Sequence, residues 1–216
     1  RGKTMKNLQQ KNVALILPKQ TNIEFKHTFI TKNICDANLI ASAKLFGCGS
    51  VFPLYLYHNK LEKQNSFQTS NSRTPNLNME IVSQIAEKLN LTFVPEKEPE
   101  GNVCYINNPE VRNDFKTTFA PIDLLDYIYA VLHSPAYREK YKEFLKIDFP
   151  RVPYPTNSET FWQLVELGGQ LREIHLLESP KVNEFFTSYP VDGNNTVTRK
   201  MTTKSLGWEK KKKKKT

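Results

Sequence analysis

The amino-acid sequence predicts an α+β fold in which short strands come first and helices follow. Apolar runs of strand length, separated by polar connections, occupy the chain up to residue 57. From residue 119 onward, apolar residues recur at helical spacing and prolines separate the segments. The 216 residues, of which 38% are hydrophobic, suffice for one large domain or two small lobes with a buried core.

Three strands are predicted in the N-terminal part. Residues 13–17 form a short apolar run that a proline follows, and residues 27–31 begin a second run of strand-forming residues. Residues 51–57 form the third, where Pro53 removes one ladder hydrogen bond and so predicts a sheet edge or a bulge. The polar stretch 60–75 that follows predicts a mobile loop or a boundary.

A helix over residues 79–89 is predicted next. Asn78 can cap its first turn. Its apolar residues recur every four positions and give one stripe that would pack on a core: Ile81, Ile85 and Leu89. Residues 92–94 and 103–106 are interpreted as short strands on either side of an acidic turn.

Three helical segments are predicted in the C-terminal half. Pro121 suits the first position of the first helix, and Pro135 ends that helix and begins the second. The second presents large side chains on one side: Tyr137, Tyr141, Phe144 and Leu145. After the extended, proline-rich residues 149–155, the third helix covers roughly 158–178, and the glycine pair at 168–169 would permit close approach of another helix.

Charge is unevenly distributed along the chain. The net charge is +9, but the lysine run 210–215, offset by Glu209, contributes +5 of it. Residues 1–75 carry +8 and residues 76–208 carry −4. A polyanion such as DNA would be attracted to the N-terminal third, although the same basic residues could simply be solvated loops. The lysine run would itself bind phosphates without specificity.

Residue patterns of the common catalytic and metal sites are missing from the sequence. There is no phosphate-binding GxxxxGK[ST] loop, no HExxH metal helix, no GxSxG elbow and no Asn-Pro-Pro-aromatic tetrad of adenine methyltransferases. The cysteines, at 35, 48 and 104, are odd in number and widely spaced, which predicts reduced thiols. We therefore predict no catalytic and no metal-binding residue in this chain.

Targeting signals are also missing from the sequence. No apolar run reaches the roughly 18 residues that a membrane helix needs, and the first twelve residues are polar. A cytoplasmic protein is expected.

Two long motifs resemble a known protein family. They are DYIYAVLHSPAYR at 126–138 and FLKIDFPRVP at 144–153, accompanied by HTFITKNI at 27–34 and VFPLYLY at 51–57. Together they resemble the C-terminal target-recognition domain of Type ISP and Type IIG-like restriction-modification enzymes, over about residues 12–197. The chain departs from the family pattern after residue 197, where further strands are usual and a lysine run stands instead.

The resemblance implies a division of the chain. Residues 1–118 would form an α/β lobe that recognises DNA, with a curved mixed sheet and a packed helix. Residues 119–190 would form a helical lobe, and residues 191–216 a truncated strand region with a lysine-rich tail.

The resemblance also implies a function, namely sequence-specific recognition of double-stranded DNA. The parent protein would be a restriction endonuclease and adenine-specific DNA methyltransferase with an ATPase or translocase, using S-adenosylmethionine, Mg²⁺ and ATP, none of which this fragment would bind. Its methyltransferase domain would be the second partner. The alternative is a non-catalytic scaffold domain that binds protein, which a large exposed apolar patch on the helices would favour.

Candidate contact residues follow from side-chain chemistry. Phosphate contacts are predicted for the cations Lys19, Lys26, Lys32 and Arg73. Base-edge contacts are predicted for the polar side chains Gln20, His27, Asn33 and Asn38. Equally, Asn33 and Asn38 could be turn formers and Asp36 a helix cap. Two further arginines could touch phosphate or pair with a nearby carboxylate: Arg138 with Glu139, and Arg151 with Asp148.

Overall fold

The computed structural model describes residues 2–36, 38–40, 49–58, 73–96, 116–185, 188, 193–194 and 196. The chain divides into two compact units, Arg1–Val182 and Asn183–Thr216. In the second unit the Thr196 N–H donates to Asn194 Oδ1 at 3.0 Å, and the fold that follows is that of the first unit. The predicted strand at 103–106, the lysine run and residues 60–72 lie outside the described residues.

Seven strands and six α-helices, besides short 3₁₀ helices, lie in the described part of the first unit. The strands are β1 (Ala14–Pro18), β2 (Phe29–Thr31), β3 (Gly49–Pro53), β4 (Tyr55–Tyr57), β5 (Arg73–Pro75), β6 (Thr92–Phe93) and β7 (Thr118–Phe119). The helices are α1 (Gly2–Lys6), α2 (Met79–Leu89), α3 (Pro121–His133), α4 (Pro135–Lys140), α5 (Phe144–Ile147) and α6 (Ser158–His175). The α+β class is confirmed.

The strands form three small sheets. The first has the order β2-β1-β3 and is antiparallel throughout; the second pairs β4 with β5 antiparallel, and the third pairs β6 with β7 parallel. The run 51–57 is thus two strands: β3 pairs with β1, β4 pairs with β5, and Leu54 lies between them, where its N–H donates to the Val13 carbonyl at 2.8 Å. Strand β3, which contains Pro53, lies at a sheet edge as predicted. Residues 73–75 were predicted as loop, but they pair with β4.

Two buried asparagines line the backbone of β4. Asn12 Nδ2 donates to the Tyr55 carbonyl at 2.8 Å, and the Tyr55 N–H donates to Asn12 Oδ1 at 3.1 Å. Asn7 Oδ1 accepts from the Tyr57 N–H at 2.7 Å. Side-chain amides therefore satisfy the backbone groups that a neighbouring strand would otherwise pair.

The predicted helices α2, α3 and α6 are confirmed. Asn78 Oδ1 caps α2 by accepting from the Glu80 N–H at 2.9 Å. Pro121 is the first residue of α3, and Asp123 Oδ2 accepts from the Ala120 N–H at 2.8 Å in the same turn. Helix α6 ends at His175, three residues before the predicted end.

The second predicted helix is broken into α4 and α5. One straight helix from Pro135 would place Phe144 on the same face as Tyr137. The break at residues 141–143 buries Leu145 and leaves Phe144 73% exposed. The predicted apolar face therefore holds for Tyr137 and Leu145 and fails for Phe144.

Helices α3 and α6 pack unusually closely. A Cβ atom on Gly168 would lie 1.9 Å from the Asp126 carbonyl oxygen, so the close approach predicted from the glycine pair is confirmed. One turn later, Arg172 binds the Asp126 carboxylate through Nε at 2.7 Å and Nη2 at 3.0 Å.

One hydrophobic core links strands and helices. Its buried members include Leu15 and Leu17 of β1, Val82 of α2, Leu132 of α3 and Phe161 of α6. The predicted boundary between residues 118 and 119 and the curvature of the sheet stay predictions. None of the described helices is long and apolar enough to cross a membrane.

Candidate nucleic-acid interface

Antiparallel pairing of β1 and β2 sorts most of the predicted contact residues into two groups. The pairs Ile16 with Phe29 and Ala14 with Thr31 fix the register. Residues 19–20 and 26–27 therefore lie near one end of this strand pair, and residues 32–33 lie at the other. A five-residue strand separates the two ends by about 15 Å.

The β1–β2 loop, residues 19–28, has a buried underside. Thr21, Phe25 and Thr28 are only 2%, 3% and 2% exposed. The Thr21 N–H donates to the Lys146 carbonyl of α5 at 3.1 Å, and its Oγ1 accepts from the Ile23 N–H at 3.2 Å. The side chains that remain on the outside are polar or charged: Lys19, Gln20, Asn22, Glu24 and Lys26.

Lys26 is already part of an ion pair. Its Nζ lies 2.8 Å from the Glu24 carboxylate, and both side chains are well exposed. The hydrogen bond from Lys26 lowers the pKa of Glu24. Exposed pairs of this kind contribute little, so a phosphate can replace Glu24 as the partner of Lys26 at low cost.

His27 is half-buried beside this pair. Burial lowers its pKa, and the positive charges of Arg138 and Lys26 lower it further. The imidazole is therefore neutral near pH 7, with one nitrogen that donates and one that accepts. That chemistry suits a base edge.

After β2, two predicted residues form turns. The Asn33 N–H donates to Thr31 Oγ1 at 3.0 Å, and the Asn38 N–H donates to Asp36 Oδ1 at 2.7 Å. The turn-forming alternative is thus supported for the backbone of both asparagines, and Asp36 caps a turn. Both asparagine residues are exposed.

Two of the other predicted cations, Lys32 and Arg73, already have carboxylate partners. Lys32 pairs with Glu178. Arg73 binds Glu96 through its Nε at 2.6 Å and also through Nη2, donates to the Lys11 carbonyl at 2.9 Å, and stacks on the Tyr55 ring at 3.8 Å. A phosphate contact by Arg73 would require exchange of Glu96, and the present geometry gives this arginine a structural role.

Arg138 takes a position that the sequence reasoning did not anticipate. Its Nε donates to the Leu132 carbonyl at 2.6 Å, and its guanidinium carbon lies 6.0 Å from the Phe25 ring centroid. Glu139, the expected partner, pairs with Lys142 at 2.7 Å instead. The sequence did contain a signal for this role, namely the position of Arg138. An arginine soon after a helix break can cap the carbonyls of the preceding helix.

A tyrosine and two histidines pack at the ends of α3 and α6. The Tyr129 hydroxyl lies 2.6 Å from His175 Nδ1, and His133 Nδ1 lies 2.9 Å from the Tyr129 carbonyl oxygen. Burial lowers the pKa of His133; Arg138 and His175 lower it further, and its hydrogen bond to Tyr129 opposes them.

Acidification below about pH 6.5 is expected to destabilise the fold. Because the pKa of His133 and that of His27 are lowered, the unfolded chain binds protons before the folded protein does. Stability is therefore full above the ordinary histidine pKa and declines as the pH falls from about 6.5 towards the lowered values. Urea unfolding at a series of pH values measures the decline.

His133→Asn should flatten this pH dependence, whereas His58→Asn, at an exposed position, should not. Equal slopes for the wild type and His133→Asn would contradict the assignment.

Among the described residues, no cluster of three or more histidine, cysteine, aspartate or glutamate side chains could hold a metal ion. Cys35 is partly buried and forms no disulfide with another described residue. Cys48 and Cys104 lie outside the described residues.

Comparison with solved structures shows a similar fold in much larger chains. The ATP-dependent Type ISP restriction-modification enzyme LlaBIII bound to DNA is 20% identical with a TM-score of 0.50, over 78% of this chain and 8% of that one. The DrdV–DNA complex is 20% identical with a TM-score of 0.48, over 77% and 12%. The present chain thus spans about a tenth of their length. No curated protein matches its sequence.

One protein family matches the chain along its whole length. This family, the Type ISP C-terminal specificity domain, matches residues 1–216. The match agrees with the resemblance of the motifs at 126–138 and 144–153. The chain therefore belongs to the Type ISP C-terminal specificity domain family.

Proposed function

We propose that this chain recognises a specific sequence in double-stranded DNA as the target-recognition domain of a restriction-modification enzyme. The observation that carries the proposal is the β1–β2 loop. Its buried residues contact the helices, and its exposed side chains include cations and amides. Lys19, Lys26 and Lys32 contact phosphates, with Arg73 joining them where a phosphate replaces Glu96. Base edges are contacted by the polar set Gln20, His27, Asn33 and Asn38. Cations of this kind position a protein on the duplex, and amides and imidazoles discriminate bases.

The parent protein supplies the chemistry. In this proposal its methyltransferase and nuclease lie elsewhere in the chain, use S-adenosylmethionine, Mg²⁺ and ATP, and receive their position on DNA from this domain. The methyltransferase domain is then the second partner, and the cytoplasm is the site of action.

Selection of bound duplexes from a random DNA library at about 0.15 M salt tests the proposal. The protein should end at Gly207, so that the lysine run cannot retain DNA without specificity. Enrichment of one short motif is the expected result. Weak, salt-sensitive retention without a motif would contradict sequence recognition by this domain.

Gln20→Ala together with Asn33→Ala should relax the selected motif. Each lost base contact should cost about 1–3 kcal/mol of discrimination, because an amide that pairs with adenine is removed. Competition between the selected duplex and single-base variants measures the loss. The control is Gln163→Ala with Gln170→Ala, which removes two exposed amides from α6; unchanged discrimination in the first pair would remove both residues from the base-reading set.

Exposed apolar side chains on α5 favour protein binding as a second candidate function. Phe144 is 73% exposed and Ile147 is 64% exposed. Replacing both by serine should leave the selected DNA motif unchanged if their role is contact with another protein domain. Loss of the motif would argue against this candidate.

A further inference from the structure

We propose that Arg138 is a positioning residue for DNA readout, which fixes the β1–β2 loop from the helical side without touching DNA. This inference rests on the proposed function, because the loop is the element that would meet the bases. It assigns part of the sequence specificity to a residue beneath the contact surface.

Arg138 is first of all fixed to the end of α3. Its Nε donates to the Leu132 carbonyl at 2.6 Å, in the last turn of a helix that ends at His133. Carbonyls in that turn have no partner within the helix, so this hydrogen bond satisfies a backbone group and holds the guanidinium in place. Arg138 is itself only partly exposed.

The fixed guanidinium then faces the loop. Its carbon lies 6.0 Å from the centroid of the Phe25 ring, within the range of a cation–π contact, and Phe25 is 3% exposed. The positive charge of Arg138 also acts on Glu24 and His27, which flank Phe25 in the sequence. One arginine thus contacts the buried residue at the middle of the loop and influences the exposed ones beside it.

A second anchor holds the start of the loop. The Thr21 N–H donates to the Lys146 carbonyl of α5, and Thr21 Oγ1 bridges to the backbone of Ile23 by donating to its carbonyl and accepting from its N–H, both at 3.2 Å. The two anchors are four residues apart, and both depend on the helical segments. Residues 19–28 therefore take their shape from α4 and α5 as well as from the strands.

This arrangement predicts a separation of affinity from specificity. Phosphate contacts tolerate a loose loop because they depend mainly on net charge. Contacts to base edges require defined geometry. If the loop becomes ordered only on binding, the cost of ordering it reduces the free energy of binding that these contacts contribute. Loss of an anchor should therefore reduce the preference for the selected motif more than it reduces the overall affinity for DNA.

Arg138→Met and Thr21→Val test the inference in the full chain, with Arg151→Met as the matched control. The first variant removes the guanidinium. The second replaces the bridging hydroxyl by a side chain of similar shape and leaves α3 untouched, so it decides the question if Arg138→Met folds poorly. The control removes the same charge from an exposed position.

Two measurements apply to each variant. Selection from the random duplex library reports specificity, and binding to one arbitrary duplex reports affinity. Both anchor variants should lose about tenfold in preference for the selected motif, the value of roughly one base contact, while binding to the arbitrary duplex changes about twofold or less. Arg151→Met should retain the motif.

Hydrogen exchange of the free protein separates failure of this inference from failure of the proposed function. The peptide that covers residues 19–28 should exchange faster in both anchor variants, and the α2 peptide should not. Unchanged exchange in that loop, or an unchanged motif in both anchor variants, would overturn the inference. Faster exchange in a protein that selects no motif would confirm the anchoring and reject DNA readout.

Discussion

Arg172→Met is expected to lower the free energy of unfolding by about 3–5 kcal/mol. Arg172 donates two hydrogen bonds to the Asp126 carboxylate, whose side chain is only 6% exposed. Removal of the guanidinium takes away two hydrogen bonds and a positive charge from a buried carboxylate between α3 and α6. Urea unfolding followed by circular dichroism measures the loss.

A double variant shows whether the loss of this ion pair is the cause. Asp126→Asn with Arg172→Met keeps the shape of the side chain that faces Gly169 and removes the buried charge, so it should recover a large part of the loss. Arg151→Met, at an exposed arginine, should change stability by no more than about 0.5 kcal/mol. A double variant as unstable as Arg172→Met would show that packing rather than charge is responsible.

Gly168→Ala should cost about 3 kcal/mol, because the added methyl group would overlap the backbone of α3. The new Cβ would lie 1.9 Å from the Asp126 carbonyl oxygen, and only a separation of the two helices relieves that contact. The helix propensity of alanine returns about 1 kcal/mol at most. The melting temperature and the midpoint of urea unfolding should both fall.

The neighbouring glycine provides the contrast. A Cβ on Gly169 would lie 3.2 Å from Asp126 Oδ2, a side-chain atom that can shift by a few tenths of an ångström. Gly169→Ala should therefore be much closer to neutral, since the gain in helix propensity offsets the small repulsion. Equal effects at the two positions would contradict the close backbone contact at Gly168.

Local signals explain which parts of the fold the sequence predicts. The Asn78 cap and the proline at 121 act within one turn of their helices, and both elements occur where they were predicted. The gap between α4 and α5 depends on which large side chain finds room in the core. Leu145 is buried and Phe144 is not, and periodicity alone cannot distinguish two adjacent apolar residues.

The candidate interface shows the same limit more strongly. Side-chain type predicts contact roles for Lys19 and Gln20, and the strand pairing places both residues on one exposed loop. The partners of two arginines escaped that reasoning: Arg73 binds Glu96, 23 residues away, and Arg138 binds the Leu132 carbonyl, six residues away. The presence of a charged residue in the sequence therefore does not show which groups that residue binds in the folded protein.

The amides of Asn7 and Asn12 also have a consequence for self-association. A strand with open N–H and C=O groups is a template on which another chain can add as a new strand. On β4, one edge pairs with β5, and the other presents groups that these two asparagines already bond. The two asparagine side chains thus take the place of a further strand. Their hydrogen bonds protect this short ribbon against β-augmentation and against the aggregation that begins in the same way.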